Sequence, residues 1–167
     1  MKQVYNTQRL TLTPVNENDY EFITQLVNTK EWIEFIGERN IHSKSDAVQY
    51  IKKLIQTPDL IYWVVRNKED FTPMGIISFL KRDYLDCFDL GFAFLPRYFG
   101  KGYAYESAQF VLGQITKCPQ HNKILATTLS HNSKSIKLLQ KLEFIFQENF
   151  SSNNEELQVY KFLQNNN

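Results

Sequence analysis

From Arg9 to Thr13 the chain alternates polar and apolar residues, which predicts a strand with Leu10 and Leu12 on one face. The period then lengthens. Asn16 and Asp19 have the spacing of a helix cap, and Phe22, Ile23, Leu26 and Val27 form an apolar stripe behind it. Trp32, Ile33, Phe35 and Ile36 predict a short helical turn ending at Gly37. Another helix opens at Ser43 or Ser45, carries Ala47, Tyr50, Ile51, Leu54 and Ile55, and closes before Pro58. Three strands follow, over 61–66, 74–81 and 88–95, joined by the turn-like stretches 67–70 and 83–86. Next come a helix with Ala104, Ala108, Val111, Leu112 and Ile115 on one side, a strand over 123–130, and a helix over 132–142 with Ile136, Leu139 and Leu142 inward. Two last strands, 144–149 and 157–162, flank a polar turn from Ser151 to Glu155, and Asn165 to Asn167 are expected to fray.

Helices first, then antiparallel-compatible strands, then strand–helix–strand–helix–strand, predict a mixed sheet with helices on both faces. The expected class is α/β, or α+β by some schemes. No internal repeat or linker divides the 167 residues, so residues 1–167 read as a single domain.

Composition narrows the function classes. A hydrophobic share of 43%, with 13 Phe and 9 Tyr, supplies an ample core, and a net charge of +1 gives no basic face for nucleic acid. Met1 to Leu10 lacks the apolar core of a signal peptide, and no apolar run approaches the ~20 residues of a membrane span. The expectation is a cytoplasmic protein with neither nucleic-acid nor membrane partners. Cys87 and Cys118 form no metal-ligand spacing with the three histidines, so reduced thiols and no metal are expected.

The chemistry concentrates between Asp89 and Ala108. An apolar strand runs into a turn with two glycines one residue apart, Gly100 and Gly102, and then into an amphipathic helix. A glycine pair alone is often a plain loop. A dinucleotide fingerprint needs Gly or Ala at 105, where Tyr105 stands, and no GxxxxGK[ST] phosphate loop occurs. The strand before, the helix after and Arg97 three residues ahead of Gly100 favour an anion cradle, in which missing Cβ atoms let backbone N–H groups approach a phosphate. The strand itself has two unlike faces. Phe88, Leu90, Phe92 and Phe94 are bulky and belong in a core, while Asp89, Gly91, Ala93 and Leu95 leave space near the middle. That space suits either a ligand or a closely packed helix. A carboxylate at Asp89, on a central strand, is costly unless paired or functional.

The spacing Arg97-x-x-Gly100-x-Gly102, with Ala104 close behind, resembles the acyl-CoA pyrophosphate loop of the GNAT N-acetyltransferase superfamily. Asn132-x-x-Ser135-x-x-Leu138-Leu139-x-x-Leu142-x-Phe144, in itself a capped core helix, resembles the second motif of that family. The order of elements agrees over nearly the whole chain. The resemblance implies a GNAT fold with a mostly antiparallel sheet of six to seven strands and acetyl-CoA as co-substrate. Phe94, Leu95, Arg97, Phe99, Gly100, Lys101, Gly102, Tyr103 and Ala104 would hold the coenzyme, with Asn132 on the pantetheine arm and Ser135 beside it. Two positions depart from the family pattern: Glu143 replaces a glycine, and Leu139 stands where many members carry a tyrosine as general acid. Ser135 is the nearest substitute acid, although capping or coenzyme contact suits it equally.

For the general base the family points to this strand, hence Asp89 first and Glu34 second, with Asp86 and His131 as further alternatives. The segment from Trp32 to Ile51 looks like the branch of ribosomal-protein N-terminal alanine acetyltransferases, which also holds many small-molecule enzymes. The implied acceptor is a primary amine, a peptide α-amine or a small metabolite, acetylated directly, because neither cysteine is placed for a covalent intermediate. A monomer or homodimer is expected. Two rivals stand beside this reading: a GNAT-fold module that binds acyl-CoA without transfer, and a protein-binding domain whose glycine turn is only structural.

Overall fold

The computed structural model describes residues 3–152 and 155–163. In chain order the elements are β1 (Tyr5–Asn6), β2 (Leu10–Pro14), α1 (Tyr20–Val27), α2 (Lys30–Phe35), α3 (Lys44–Gln56), β3 (Leu60–Asn67), β4 (Pro73–Lys81), β5 (Phe88–Phe94), α4 (Tyr103–Ile115), β6 (Lys123–Leu129), α5 (Ser133–Lys141), β7 (Ile145–Ser152) and β8 (Glu155–Leu163). The strands form one eight-stranded sheet in the order β1-β2-β3-β4-β5-β6-β8-β7. Every neighbouring pair is antiparallel except β5 and β6, which run parallel.

The expected class and topology are found, with a two-residue β1 added to the seven strands foreseen. The stretch between β7 and β8 is shorter than the polar turn suggested; residues 153–154, and the terminal Asn165–Asn167, lie outside the described residues.

Helix starts follow their caps. Asn16 and Asp19 form a capping box that opens a 3-10 turn (Glu17–Asp19) leading into α1. At α3 the cap is Ser43, whose hydroxyl accepts from Asp46 N–H while the Asp46 side chain returns to the Ser43 N–H.

Both faces of the sheet are covered. On one face α4 and α5 bury Ala108, Val111, Leu112, Ile115, Leu139 and Leu142 against Leu10, Leu12, Trp63, Ile77, Phe79 and Leu90. The other face carries Tyr62, Val64, Ile76 and Leu95 under Phe22, Ile23, Leu26, Trp32, Ala47 and Ile51 of α1 to α3. Burying this apolar area drives the fold, at ~25 cal/mol per Å². No helix among the described residues is long and apolar enough to cross a membrane.

Candidate active site

The parallel junction at the centre of the sheet creates the site. β5 and β6 share one ladder pair, Asp89 with Leu125, and no pair beyond it. β4, by contrast, stays paired with β5 from Lys81 opposite Phe88 to Gly75 opposite Phe94. Backbone groups alternate sides along a strand. The Leu95 N–H donates to Met74 O at 2.9 Å on the β4 side. The Asp89–Leu125 pair uses the Leu90 N–H, and by alternation the Leu90 C=O and the peptide groups of Phe92 and Phe94 point to the β6 side beyond that pair. Along β5 these groups have no ladder partner on β6, which marks out a gap between the two strands.

The side chains of Phe88, Leu90, Phe92 and Phe94 face the α4–α5 core, as their bulk predicted. Gly91 and Ala93 are half-buried on the opposite face. No helix presses on Gly91; a Cβ there would come within 2.6 Å of Ser78 Oγ, its cross-strand neighbour. The slim face is thus needed by a side chain of β4 and still leaves a half-open floor.

At the upper end of β5 the chain passes through a 3-10 turn (Pro96–Tyr98) into the glycine turn. Gly100 and Gly102 have φ of +72° and +80°, a left-handed conformation that other residues reach only with strain. Gly102 is the N-cap of α4 and offers no side chain to it, so the first-turn amides are uncapped by the protein. They carry the positive end of the dipole of a 13-residue helix, roughly half a unit charge. No heavy atom lies within 4 Å of a Cβ built on Gly100, so the turn is open there. Cations surround it. The Arg97 guanidinium lies 5.0 Å and Lys101 Nζ 5.8 Å from the Tyr98 ring centroid, and Lys134 Nζ from α5 reaches to 4.9 Å from that of Phe99. Lys134 is a contribution that the sequence reading missed, because only the fold brings α5 beside the turn.

Of the residues expected at the coenzyme, Phe94 offers its backbone to the gap. Arg97, Phe99, Gly100, Lys101, Gly102, Tyr103 and Ala104 form the turn and first helical turn. Leu95 stands apart: its N–H is spent on Met74, its C=O accepts from Tyr98 N–H, and its side chain is buried under α1 to α3. Across the gap, Asn132 caps α5 by accepting from Ser135 N–H at 3.2 Å. Its Nδ2 and the hydroxyl of the half-buried Ser135 make no hydrogen bond to the described residues. Leu139 is in the core. Glu143 takes φ of +66° after the end of α5, while Phe144 N–H closes the helix on Leu139 O. Glu143 has the backbone shape of the glycine that the motif would put there.

Asp89 lies at the closed end of the gap, 1% exposed. One carboxylate oxygen accepts from Arg82 Nε, and the other, Oδ1, is buried without a hydrogen-bond partner. Burial pushes this carboxyl above the usual aspartate range, against the pull of Arg82 and of the Thr127 N–H that faces it. Glu34, on α2, is exposed, and its Oε1 is 3.8 Å from His131 Nε2 in the β6–α5 turn. The Phe35 ring lies 5.5 Å from that of His131, so α2 reaches across the mouth of the gap. Asp86 is exposed and bound to Lys123 Nζ at 2.9 Å, away from the mouth. The Cys87 thiol, half-buried at the start of β5, is pushed up by burial and by Asp86, and Cys118 follows α4. Among the described residues no three His, Cys, Asp or Glu side chains gather as a metal site.

Similarity to known proteins agrees with this fold. The family model for the acetyltransferase (GNAT) domain matches residues 9–145. An uncharacterized N-acetyltransferase of Bacillus subtilis (strain 168), YnaD, is 26% identical over 136 residues, covering 81% of this chain and 79% of that protein. The ribosomal-protein-S5-alanine acetyltransferase of Vibrio fischeri superposes with a TM-score of 0.80 at 16% identity, over 98% of each chain. The spermidine N-acetyltransferase of Vibrio cholerae, solved with CoA and spermine, superposes with a TM-score of 0.79 at 18% identity, over 95% of this chain and 97% of that one.

Proposed function

The chain belongs to the GNAT acetyltransferase family, and from that premise we propose that it transfers the acetyl group of acetyl-CoA directly to a primary amine. The observation that carries the proposal is the pairing of two unsatisfied features on one strand. β5 has an unpaired backbone edge along the gap, and the helix that follows it has uncapped amides at a glycine turn. A pantetheine arm is a chain of amides, suited to the first. A diphosphate is suited to the second.

In this reading the diphosphate lies on residues 100–104 with Arg97, Lys101 and Lys134 around it, and the arm runs down the gap past Asn132. A backbone N–H on the gap edge of β5 polarises the thioester carbonyl. The amine enters over Gly91 and Ala93. Asp89, through a water held at Oδ1, takes its proton; a carboxyl raised by burial is a better base near neutral pH than an ordinary one. The nitrogen–carbon bond forms as the carbon–sulfur bond breaks, and the proton shed by the attacking nitrogen passes through the Ser135 hydroxyl to the leaving thiolate. Glu34, at the mouth, favours the approach of a cationic amine.

The preferred acceptor is an α-amine of a peptide or small metabolite. Its pKa is ~7.7–8.0 against ~10.4 for a lysine side chain, so its deprotonation at pH 7 costs roughly 3 kcal/mol less. The fold alone does not choose, since the two superposed enzymes are named for a ribosomal protein and for spermidine. The charge distribution bears on it. The Asp89 carboxylate is already paired with Arg82, which leaves it little for a polycation.

Burial of Leu139, where relatives carry a tyrosine, favours one second reading: a module that binds acyl-CoA without transfer. Thiol release in the presence of amines separates the two. Release that depends on an amine supports transfer, and coenzyme binding without release supports the module.

A further inference from the structure

Glu106 occupies the first turn of α4, where a carboxylate would oppose any anion bound at the uncapped amides. Its charge is held elsewhere. Oε1 accepts from the Thr7 hydroxyl at 2.6 Å and from the Arg9 N–H at 2.9 Å, and Oε2 accepts from Arg9 Nε at 2.7 Å. Burial acts to raise this carboxyl, yet these donors keep it below the usual glutamate range.

The same guanidinium grips the glycine turn. Arg9 Nη1 donates to Lys101 O at 3.1 Å, Cζ lies 4.6 Å from the Tyr103 ring centroid, and Nη2 lies 3.4 Å from where a Cβ on Gly102 would sit. Lys101 and Tyr103 are therefore both touched by one side chain, which lies beside the Gly102 between them and is delivered from the loop between β1 and β2. The Lys101 C=O and the Gly102 N–H belong to one planar trans peptide and point in opposite directions. Holding the carbonyl toward Arg9 aims the Gly102 N–H at the other side, into the open turn.

We propose that Arg9 is a positioning residue for the coenzyme's diphosphate: it fixes the peptide that aims the Gly102 N–H, and it draws the Glu106 carboxylate away from the anion. The inference rests on the coenzyme reading above. It concerns the diphosphate alone, since Arg9 reaches the turn and not the gap.

The test compares acetyl-CoA with acetyl-pantetheine, which has the same arm and thioester but no diphosphate. The readout is the ratio of their kcat/KM values in the wild type, Arg9→Ala and Arg9→Lys. Arg9→Ala should lower the ratio about tenfold, equivalent to ~1.4 kcal/mol. Arg9→Lys keeps the charge and an exposed position, so it serves should the alanine variant fold poorly. It lacks the planar fork that serves Glu106 and Lys101 together, and should still lower the ratio about threefold or more. An unchanged ratio in the folded variants, whether both rates hold or fall together, overturns the inference, as does full rescue by lysine. Failure of the wild type to use acetyl-CoA at all would instead overturn the coenzyme reading.

Discussion

Asp89 and Leu125 form the single ladder pair between β5 and β6 among the described residues, and the space that would hold a coenzyme begins where that pair ends. Asp89 is also the proposed base, and its carboxylate is bound to Arg82. The residue that makes the last strand pair and the proposed base are thus one, which ties the place of the gap to its chemistry.

Asp89→Asn should lower turnover by ~10²-fold or more while leaving the affinity for acetyl-CoA within about threefold, because the base acts on the amine. The wild-type kcat/KM profile should fall on the acid side at a pH above the ordinary aspartate value of ~3.9, since burial raises this carboxyl and the base works only when ionised. Replacing Arg82 with Ala removes a cation that opposes that rise, so the acid limb should move to still higher pH. Steady-state rates from pH 5 to 9 check both. A turnover loss below about threefold in Asp89→Asn would move the role to Glu34 or to water alone.

Gly102→Glu should cost more than about tenfold in affinity for CoA by calorimetry, from a carboxylate beside the diphosphate and a left-handed backbone that glutamate resists. Gly102→Asn separates the two causes. Asparagine tolerates that conformation and brings no charge, so it should bind far better than the glutamate variant. Equal affinity for CoA in the wild type and Gly102→Glu would contradict the cradle.

Glu143→Gly should stabilise the protein. A non-glycine residue in the left-handed region costs ~1–2 kcal/mol, against ~0.5–1 kcal/mol for the added freedom of glycine when unfolded. The net gain of roughly 0.5–1 kcal/mol corresponds to about 1–4 °C in Tm for a chain of this size. A differential scanning measurement that shows a lower Tm would mean that the Glu143 side chain contributes more than its backbone costs.

Much of this was legible in the sequence because it is periodic. The alternation from Leu10 to Leu12 and in Phe88 to Phe94 reports which face of the sheet each side chain takes, and the stripes of α1, α3, α4 and α5 report the side turned to the core. β1 was not legible, since two residues carry no period, and β7 runs further than expected because much of that edge strand lies exposed, with little apolar signal. The glycine turn was legible as a motif, but its support was not. Arg9 and Lys134 reach it from distant parts of the chain, and Arg82 meets Asp89 only because the β4–β5 connection folds back under the strand. Spacing shows which residues are near in sequence. Ion pairs across elements depend on the fold as a whole.

Acceptor-dependent thiol release from acetyl-CoA tests the central claim most directly, measured against peptides with free N-termini, amino acids, polyamines, aminoglycosides and N-terminally blocked lysine peptides. Release that rises with added amine, fastest with α-amines and accompanied by an acetylated acceptor in the mass spectrum, is the predicted result. Release no faster than hydrolysis with every amine would contradict transfer, and efficient release with lysine side chains but none with α-amines would contradict the acceptor proposed.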